Sequence, residues 1–473
     1  MGGFSTVGGA AVVEIKDVKY SPADSFAAVL QSLPDADAIN KVYMFIGMHD
    51  YFAEILNNVN ITADKAATIL NDPTIFVDSC AKTLNSAKLS ASKAANILSS
   101  ANIGVSRVAA ILNDPNMAAP RAAAIFGDPN ITASRIHSIL SDASITADKV
   151  QAILYAMADL GYVGKLVDII TVAAPDASIT ADTTVTGVVW YRNLSIAQGV
   201  TLTVDGQPGV IIAYNLTNNG TVNKTATGGA GGASYAAPGA GGAGGGGLII
   251  VANEVHGGTY NANGVSGEAG GTSTTTGSGY PGGGGAMVRV GTDVPGNGGS
   301  GGYSAGGGGG GGGGGPPYGG AGGTITLTTI GSYATILAEV LKQAVDWYIV
   351  NVLGKTPTTV KPFYNVCGAG GGGGGDYYGY CDSGGGGGSG GQIIVVTNII
   401  DGGTFNANGG SGGSGGAGGL YDGGGGGGGG GIVYVLYKSL VTTPTLSASY
   451  GAGGPGDRPG SAGTEGTAKA VAV

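Results

Sequence analysis

GQIIVVTNIIDGGTFNANG, residues 391 to 409, carries the pattern on which the C-terminal half of the chain is built: an apolar run, then Asn, then Gly-Thr, then Asn. GLIIVANEVHGGTYNANG at 247 to 264 matches it closely at an offset of 145 residues, and a looser copy, GVIIAYNLTNNGTVN, begins at Gly209. Runs such as Leu248 to Val251 and Ile393 to Val396 have the length of a buried strand. After each of the last two copies comes a glycine tract and then another apolar stretch, AMVRV at 286 to 290 or IVYVLY at 432 to 437. These are duplicated strand-plus-glycine cassettes.

Of the 100 glycines in 473 residues, 86 fall in the last 246. They form runs at 306 to 315, 370 to 375, 384 to 388 and 423 to 431, so a strict Gly-X-Y collagen repeat is excluded. One reading is flexible linker. The runs contain little serine, recur at the same place in each cassette and are bracketed by apolar strands, which favours ordered packing as polyglycine II. In that threefold helix ten residues reach about 31 Å. It has no internal hydrogen bonds, so neighbouring runs must supply the partners. Between the two copies lies ATILAEVLKQAVDWYIVNVL (334 to 353), with Ile336, Leu337, Val340, Leu341, Val345 and Tyr348 on one helical face and Glu339, Lys342 and Asp346 making it amphipathic.

Upstream the period changes. Residues 60 to 154 repeat every 14 without insertion, from NITADKAATILNDP at Asn60 through NIGVSRVAAILNDP at Asn102 to SITADKVQAIL at Ser144. Thr62, Ser90, Thr132 and Thr146 stand where a side-chain oxygen caps a first turn, with Asp64 or Asp148 adding favourable charge. Apolar residues follow at unit positions 7, 10 and 11, as in Ala66, Ile69 and Leu70 or Val108, Ile111 and Leu112. Asn-Asp-Pro at 71 to 73 and 113 to 115 then stops the helix. Each unit predicts one helix of about nine residues, too short to stand alone and stabilised by stacking. A basic residue recurs at unit position 6: Lys65, Lys93, Arg107, Arg121, Arg135 and Lys149. This row reads either as a docking strip for an acidic partner or as a solvated face paired with Asp72, Asp114, Asp128 and Asp142. Ser21, Pro22 and Asp24 predict that helix begins near residue 21. The motif SITAD at 144 to 148 returns at 178 to 182 but runs into β-branched, alternating sequence, so a domain boundary is expected between 165 and 183.

The chain thus reads as a multidomain α + β protein. It has an extended segment at 1–20, a helical repeat domain at 21–165 and a β lead-in at 166–227. A first glycine-rich cassette (228–333), an inserted helix (334–354) and a second cassette with the C-terminal tail (355–473) follow. The β part is expected to be a β-helix or sandwich-like, with polyglycine II packing.

Thirty acidic against 21 basic residues give a net charge of −9, which argues against a nucleic-acid partner. The start lacks the charge and apolar stretch of a signal peptide, and no segment has 18 uninterrupted apolar residues, so no membrane span is expected. Six Asn-x-Ser/Thr sequons, at Asn60, Asn130, Asn193, Asn215, Asn219 and Asn223, fit the abundance of Asn and Thr. His49, His137 and His256 are isolated, and no spacing suits a metal. Leu353-Gly354-Lys355-Thr356 ends like a phosphate loop, but Ile349 stands where its first glycine is needed. Asp422-Gly423 lacks the spaced carboxylates of a calcium repeat. No paired acid and base, catalytic residue or cofactor motif emerges. Cys367 and Cys381 flank one glycine loop and are either bridged or free thiols. Tyr303, Tyr318, Tyr377, Tyr378, Tyr380 and Tyr421 adjoin glycine tracts. They form either a recognition surface of rigid aromatic and adaptable small residues or shields for the ends of glycine packing.

NLSIAQGVTLTVDGQPGVIIAYNLTNNGTV (193 to 222), GGAGGGG (241 to 247) and the two cassettes resemble the glycine-rich modules of tail-fibre and adhesin proteins of tailed phages and archaeal viruses. The likeness covers about residues 185 to 473. The 14-residue units are similar, more loosely, to repeats in structural proteins of viruses infecting thermophilic archaea. The resemblance implies an extracellular, virion-surface protein that engages the host; without a catalytic motif, no enzymatic activity is expected. Its N-terminal region would anchor to other virion proteins and its glycine-rich part would bind a host glycan or surface protein. A homo-oligomer, trimeric as in a fibre, is the expected assembly. The alternative is a purely structural subunit, a capsid decoration or cell-surface filament. A hydrolase of surface polymers would need an acid pair that the sequence does not offer.

Overall fold

The computed structural model describes residues 22–42, 48–226, 241–270, 285–299, 325–369, 384–416, 423–456 and 459–473. It divides into two compact units, Met1–Lys149 and Val150–Val473.

The first unit is helical. After α1 (Pro22–Ser32), α2 (Asp35–Val42) and α3 (His49–Asn57) come α4 (Ala63–Asn71), α5 (Val77–Asn85), α6 (Ala91–Ser99), α7 (Val105–Asn113), α8 (Ala119–Phe126) and α9 (Ala133–Ser141). From α4 onward each helix starts 14 residues after the last, and α10 (Ala147–Asp159) keeps the beat. The Thr62, Ser90 and Thr132 side chains accept from the backbone N–H of Lys65, Lys93 and Arg135, as capping requires. Ala66, Ile69 and Leu70 and their equivalents are fully buried, and so is the second residue of each unit, Ile61, Ile75, Leu89, Ile103, Met117, Ile131 and Ile145. Each helix packs on the one two units away, α4 on α6 and α6 on α8, α5 on α7 and α7 on α9. Two columns result, and one layer of the array takes two units.

The basic row fills neither of its expected roles. Arg107 Nε donates to the Leu70 carbonyl (2.9 Å) and Nη2 to that of Asp72 (3.1 Å). Arg121 Nε donates to Leu84 (2.9 Å), and Arg135 donates to Leu98 (3.0 Å) and Ile103 (2.6 Å). Lys93 Nζ reaches the Ile61 carbonyl and Lys149 Nζ that of Met117, each at 2.5 Å, while Lys65 reaches Leu33 and pairs with Asp35 at 2.7 Å. Each cation therefore serves carbonyls at the end of a helix or in the turn that follows it, in the preceding layer. The carboxylates expected to pair with the row are otherwise engaged. Asp72, Asp114, Asp128 and Asp142 accept the backbone N–H two residues on, at Thr74, Asn116, Asn130 and Ser144 (2.8 to 2.9 Å).

The second unit begins earlier than the change of sequence period at 165 to 183. The division falls within α10, and α11 (Val163–Thr171) packs on the sheet below, where Val163, Leu166, Val167, Ile169 and Ile170 are buried. Gly164 lies so close to Asn253 and Asn398 that a Cβ there would strike both side chains. The strands are β1 (Ala177–Ile179), β2 (Thr183–Ile196), β3 (Thr201–Asn218), β4 (Thr221–Lys224), β5 (Gly247–His256), β6 (Thr259–Asn261), β7 (Gly285–Val290) and β8 (Ile325–Ile330). After α12 (Tyr333–Asn351) come β9 (Gln392–Asp401), β10 (Thr404–Asn406), β11 (Ile432–Thr442), β12 (Thr445–Ser447) and β13 (Thr467–Ala472). Eleven strands form one sheet in the order β12-β10-β6-β4-β3-β5-β9-β11-β13, with β2 also on β3 and β1 on β2, while β7 and β8 pair separately. The pairings of these named strands are parallel, unlike those of an antiparallel sandwich.

The duplicated cassettes are spatial neighbours in register. Leu248 stands beside Ile393 and His256 beside Asp401. Tyr260 stacks on Phe405 with centroids 4.6 Å apart, and Asn406 Nδ2 donates to Asn261 Oδ1 at 3.0 Å. The predicted apolar face of α12 is buried, but Asp346, expected on the polar side, is fully buried too. It accepts Gln151 Nε2, the Tyr155 hydroxyl and the Lys361 N–H, each at 2.6 Å, which satisfies the charge.

The described glycine segments are extended rods that continue the strands. Rods enter β5, β9 and β11 and leave β6, β10 and β12. Each bonds to its neighbours at every third residue. Gly409, Gly412 and Gly415 donate to Ser449, Ala452 and Pro455 (2.8 Å), and Gly425, Gly428 and Gly431 donate to Gly413, Gly410 and Ala407 (2.7 to 2.9 Å). At these spacings a side chain has no room: a Cβ built on Gly428 would fall against the Gly388 carbonyl, well inside van der Waals contact.

Candidate functional site

Tyr303, Tyr318, Tyr377, Tyr378, Tyr380 and Tyr421 lie outside the described residues, as does Cys381. Cys367 is a buried free thiol. What the described residues give is the attachment of those sequences. Away from the strands the rods finish side by side, Gly270 donating to Ser414 (2.9 Å), Gly384 to Gly423 (3.0 Å) and Gly415 to Pro455 (2.8 Å). Gly416 and Gly423, which flank residues 417–422, and Gly384, which follows residues 370–383, belong to that end.

A second candidate is a polar face on the sheet. Along the final residues of β2, β3, β5 and β9 the side chains alternate. Leu194, Leu216, Val255 and Ile400 are buried, while Ser195, Thr217, His256 and Asp401 between or beside them are partly exposed. Parallel register stacks these into rows: Ser178, Ser195, Thr217, His256, Asp401 and Thr442 in one, Asn193, Asn215 and Glu254 in the other. Neighbouring members are one strand apart, about 4.8 Å.

Where the rows begin, Asp176, Ser178, Asn193, Ser195, Asn215 and Thr217 line an open groove of about 380 Å³. Its hydrogen bonds have a fixed direction. Asp176 Oδ1 accepts both the Asn193 N–H (3.0 Å) and Asn193 Nδ2 (2.8 Å), so the Asn193 oxygen is left to accept Asn215 Nδ2 (2.9 Å). Asn215 Oδ1, in turn, is buried and finds no donor among the described residues. The residue facing it across the next pairing is Glu254, another acceptor. Glu254 Oε2 lies 3.0 Å from His256 Nε2, and His256 Nδ1 lies 3.3 Å from Asp401 Oδ2, so one imidazole spans two carboxylates. The Thr442 hydroxyl and then His256 hold the Asp401 carboxyl below the usual carboxylate range. Arg192 is held away from the rows by Asp168 (2.6 Å) and lies 3.8 Å over the Tyr214 ring. Burial, then Asp168, pushes the Tyr214 hydroxyl upward. The face offers hydroxyls that both donate and accept, amides and carboxylates, which suits a ligand rich in hydroxyl groups.

In the sequence His256 stands isolated, without a nearby His or Cys at metal-ligand spacing. Aligning the cassettes at their 145-residue offset already places it against Asp401, and the in-register parallel pairing turns that alignment into contact. Asn193-Leu-Ser and Asn215-Leu-Thr were visible only as sequons; they are successive strand ends of the groove.

Among the described residues no group of three or more His, Cys, Asp or Glu side chains could hold a metal ion, and no helix is long and apolar enough to cross a membrane. The chain matches no protein-family model, no curated protein and no solved structure.

Proposed function

We propose that this chain is a non-enzymatic virion-surface protein that attaches the particle to its host, with the helical unit as anchor. In this reading the parallel strands form a β-helix and the rods a polyglycine II lattice that projects from it, and the sequences joined at the lattice end engage the host surface. The observation that carries the proposal is the convergence of rod ends at Gly270, Gly384, Ser414, Gly423 and Pro455. Rods bonded laterally at every third residue make a rigid support, and a nine-residue rod such as 423 to 431 reaches about 28 Å. Loops on rigid scaffolds are where recognition concentrates.

The test is binding of the labelled full chain to host cells, with and without residues 370–383, together with antibody labelling of intact particles. The reading expects label on the particle surface and cell binding that falls at least tenfold on deletion. Unlabelled particles, or undiminished binding, overturn it. A purely structural subunit is the second reading, favoured by Leu440 and Val441, which are exposed on β11 beyond the end of β13. Filaments forming from the pure protein support that reading.

A further inference from the structure

We infer that the groove at the start of the polar rows is a saccharide site selective for a neutral, polyhydroxylated chain. The inference deepens the attachment reading and rests on it for its biological setting. The first ground is the hydrogen-bond direction already described. Asp176 fixes Asn193, Asn193 fixes Asn215, and the series ends on an Asn215 oxygen that is buried without a donor. Asn215 lines the groove, and an acceptor left without a donor there favours a ligand that brings one. Turning the amide over does not help, because it sets the Asn215 oxygen against the Asn193 oxygen.

The second ground is what surrounds the groove. Ser178, Ser195 and Thr217 present hydroxyls at one-strand intervals, and the rows continue through Glu254, His256 and Asp401 to Thr442, so a linear chain of repeating hydroxyls can run across the strands. From β1 to β11 the face spans five strand spacings, about 24 Å. The third ground is charge. Asp176, Glu254 and Asp401 are carboxylates; the one imidazole among them, His256, already faces two of these, and Arg192 is occupied by Asp168 and Tyr214. An anionic ligand would meet like charge with no free partner on these rows, whereas a neutral sugar donates hydroxyls to the same oxygens.

The test uses the full chain in affinity electrophoresis and calorimetry against neutral polysaccharides (a glucan, a mannan and a galactan) and against a polyuronate of similar length. At least one neutral polymer should bind, with the polyuronate at least tenfold weaker. Asn215→Leu should weaken binding at least tenfold. Thr217→Val, which keeps shape and strand propensity, should weaken it about threefold and guards against misfolding of the first variant. Equal or tighter binding of the polyuronate, no binding of any neutral polymer, or unchanged affinity in both variants overturns the site. Cell binding separates the two proposals. Polymer affinity unchanged in both variants, with cell binding that still falls on deletion of 370–383, refutes the groove and leaves attachment standing; neutral polymer bound through the groove by a chain that ignores cells does the reverse.

Discussion

The helical array and the glycine unit both grow by stacking like on like, and they bond their layers by opposite means. In the array, layers are tied by side chains: Arg and Lys reach back to helix-end carbonyls. Asn71, Asn85 and Asn113 accept the N–H groups of Gly104, Ala118 and Thr146 (2.9 to 3.1 Å) from the layer after. In the glycine lattice the backbone bonds directly to the backbone, and at its close-packed glycines, such as Gly428, a side chain is what the geometry forbids. The difference teaches where each region tolerates change. A side-chain tie can be exchanged for a similar one, as Lys93 and Lys149 stand in for arginine; a lattice glycine has no substitute.

The strongest way to break that contrast is Gly428→Ala. Its N–H donates to Gly410, its carbonyl accepts from Gly451, and the added methyl would press on the Gly388 carbonyl. All three neighbours are backbone, so no side chain can swing aside. Urea unfolding of the second unit should show a loss of about 4 kcal/mol, in the range reserved for severe overpacking. A loss under about 1 kcal/mol would mean that the rods are loosely held and that glycine is dispensable there.

This contrast also explains what could be read in the chain beforehand. The 14-residue beat, the caps at Thr62, Ser90 and Thr132, the buried triplets and the face of α12 are local periodicities, and local periodicity is written directly in sequence. The strand runs and the duplication were legible for the same reason. The roles of Arg107, Arg121 and Arg135 were not, because they depend on which unit lies two positions back, and a single helix looks the same whether its cation faces water or a neighbouring helix end. Asp346 was misplaced for a related cause: its partners Gln151 and Tyr155 come from about 190 residues away, too far for any pattern in α12 to reveal. The polar rows needed register as well as strand positions, since a shift of one residue would turn Ser195, Thr217 and His256 inward.

An intermediate effect is expected from Arg121→Met, which keeps the long stem over the preceding layer but removes the donors to the Leu84 and Leu89 carbonyls. Burial already makes the charged guanidinium harder to hold, pushing its pKa down, so the carbonyls contribute much of its stabilisation. The helical circular-dichroism signal in urea should report a loss of about 2 kcal/mol, typical of hydrogen bonds to a charged donor. Arg121→Lys should lose less than half of that, because lysine fills the equivalent place at Lys93 and Lys149. If lysine were as harmful as methionine, the fork geometry rather than the charge would be what ties the layers.

The smallest change sharpens the comparison from the other side, at a glycine the array does not need. Gly104 occupies the cap position of α7 with φ −67° and ψ 147°, values any residue adopts, and a Cβ there would make only ordinary contact, 3.6 Å from Asn71 Oδ1. Gly104→Ser restores the hydroxyl that Ser90 uses one unit earlier and reduces the freedom of the unfolded chain. Together these should stabilise the array by about 0.5 kcal/mol, a rise of about 1 to 2 °C in Tm for a unit of this size. Adding carbon at Gly428 is thus expected to break one unit, and adding carbon and oxygen at Gly104 to strengthen the other. Destabilisation by Gly104→Ser would show that the array, too, has layers packed closely enough to demand glycine, and the contrast between side-chain and backbone stacking would lose its basis.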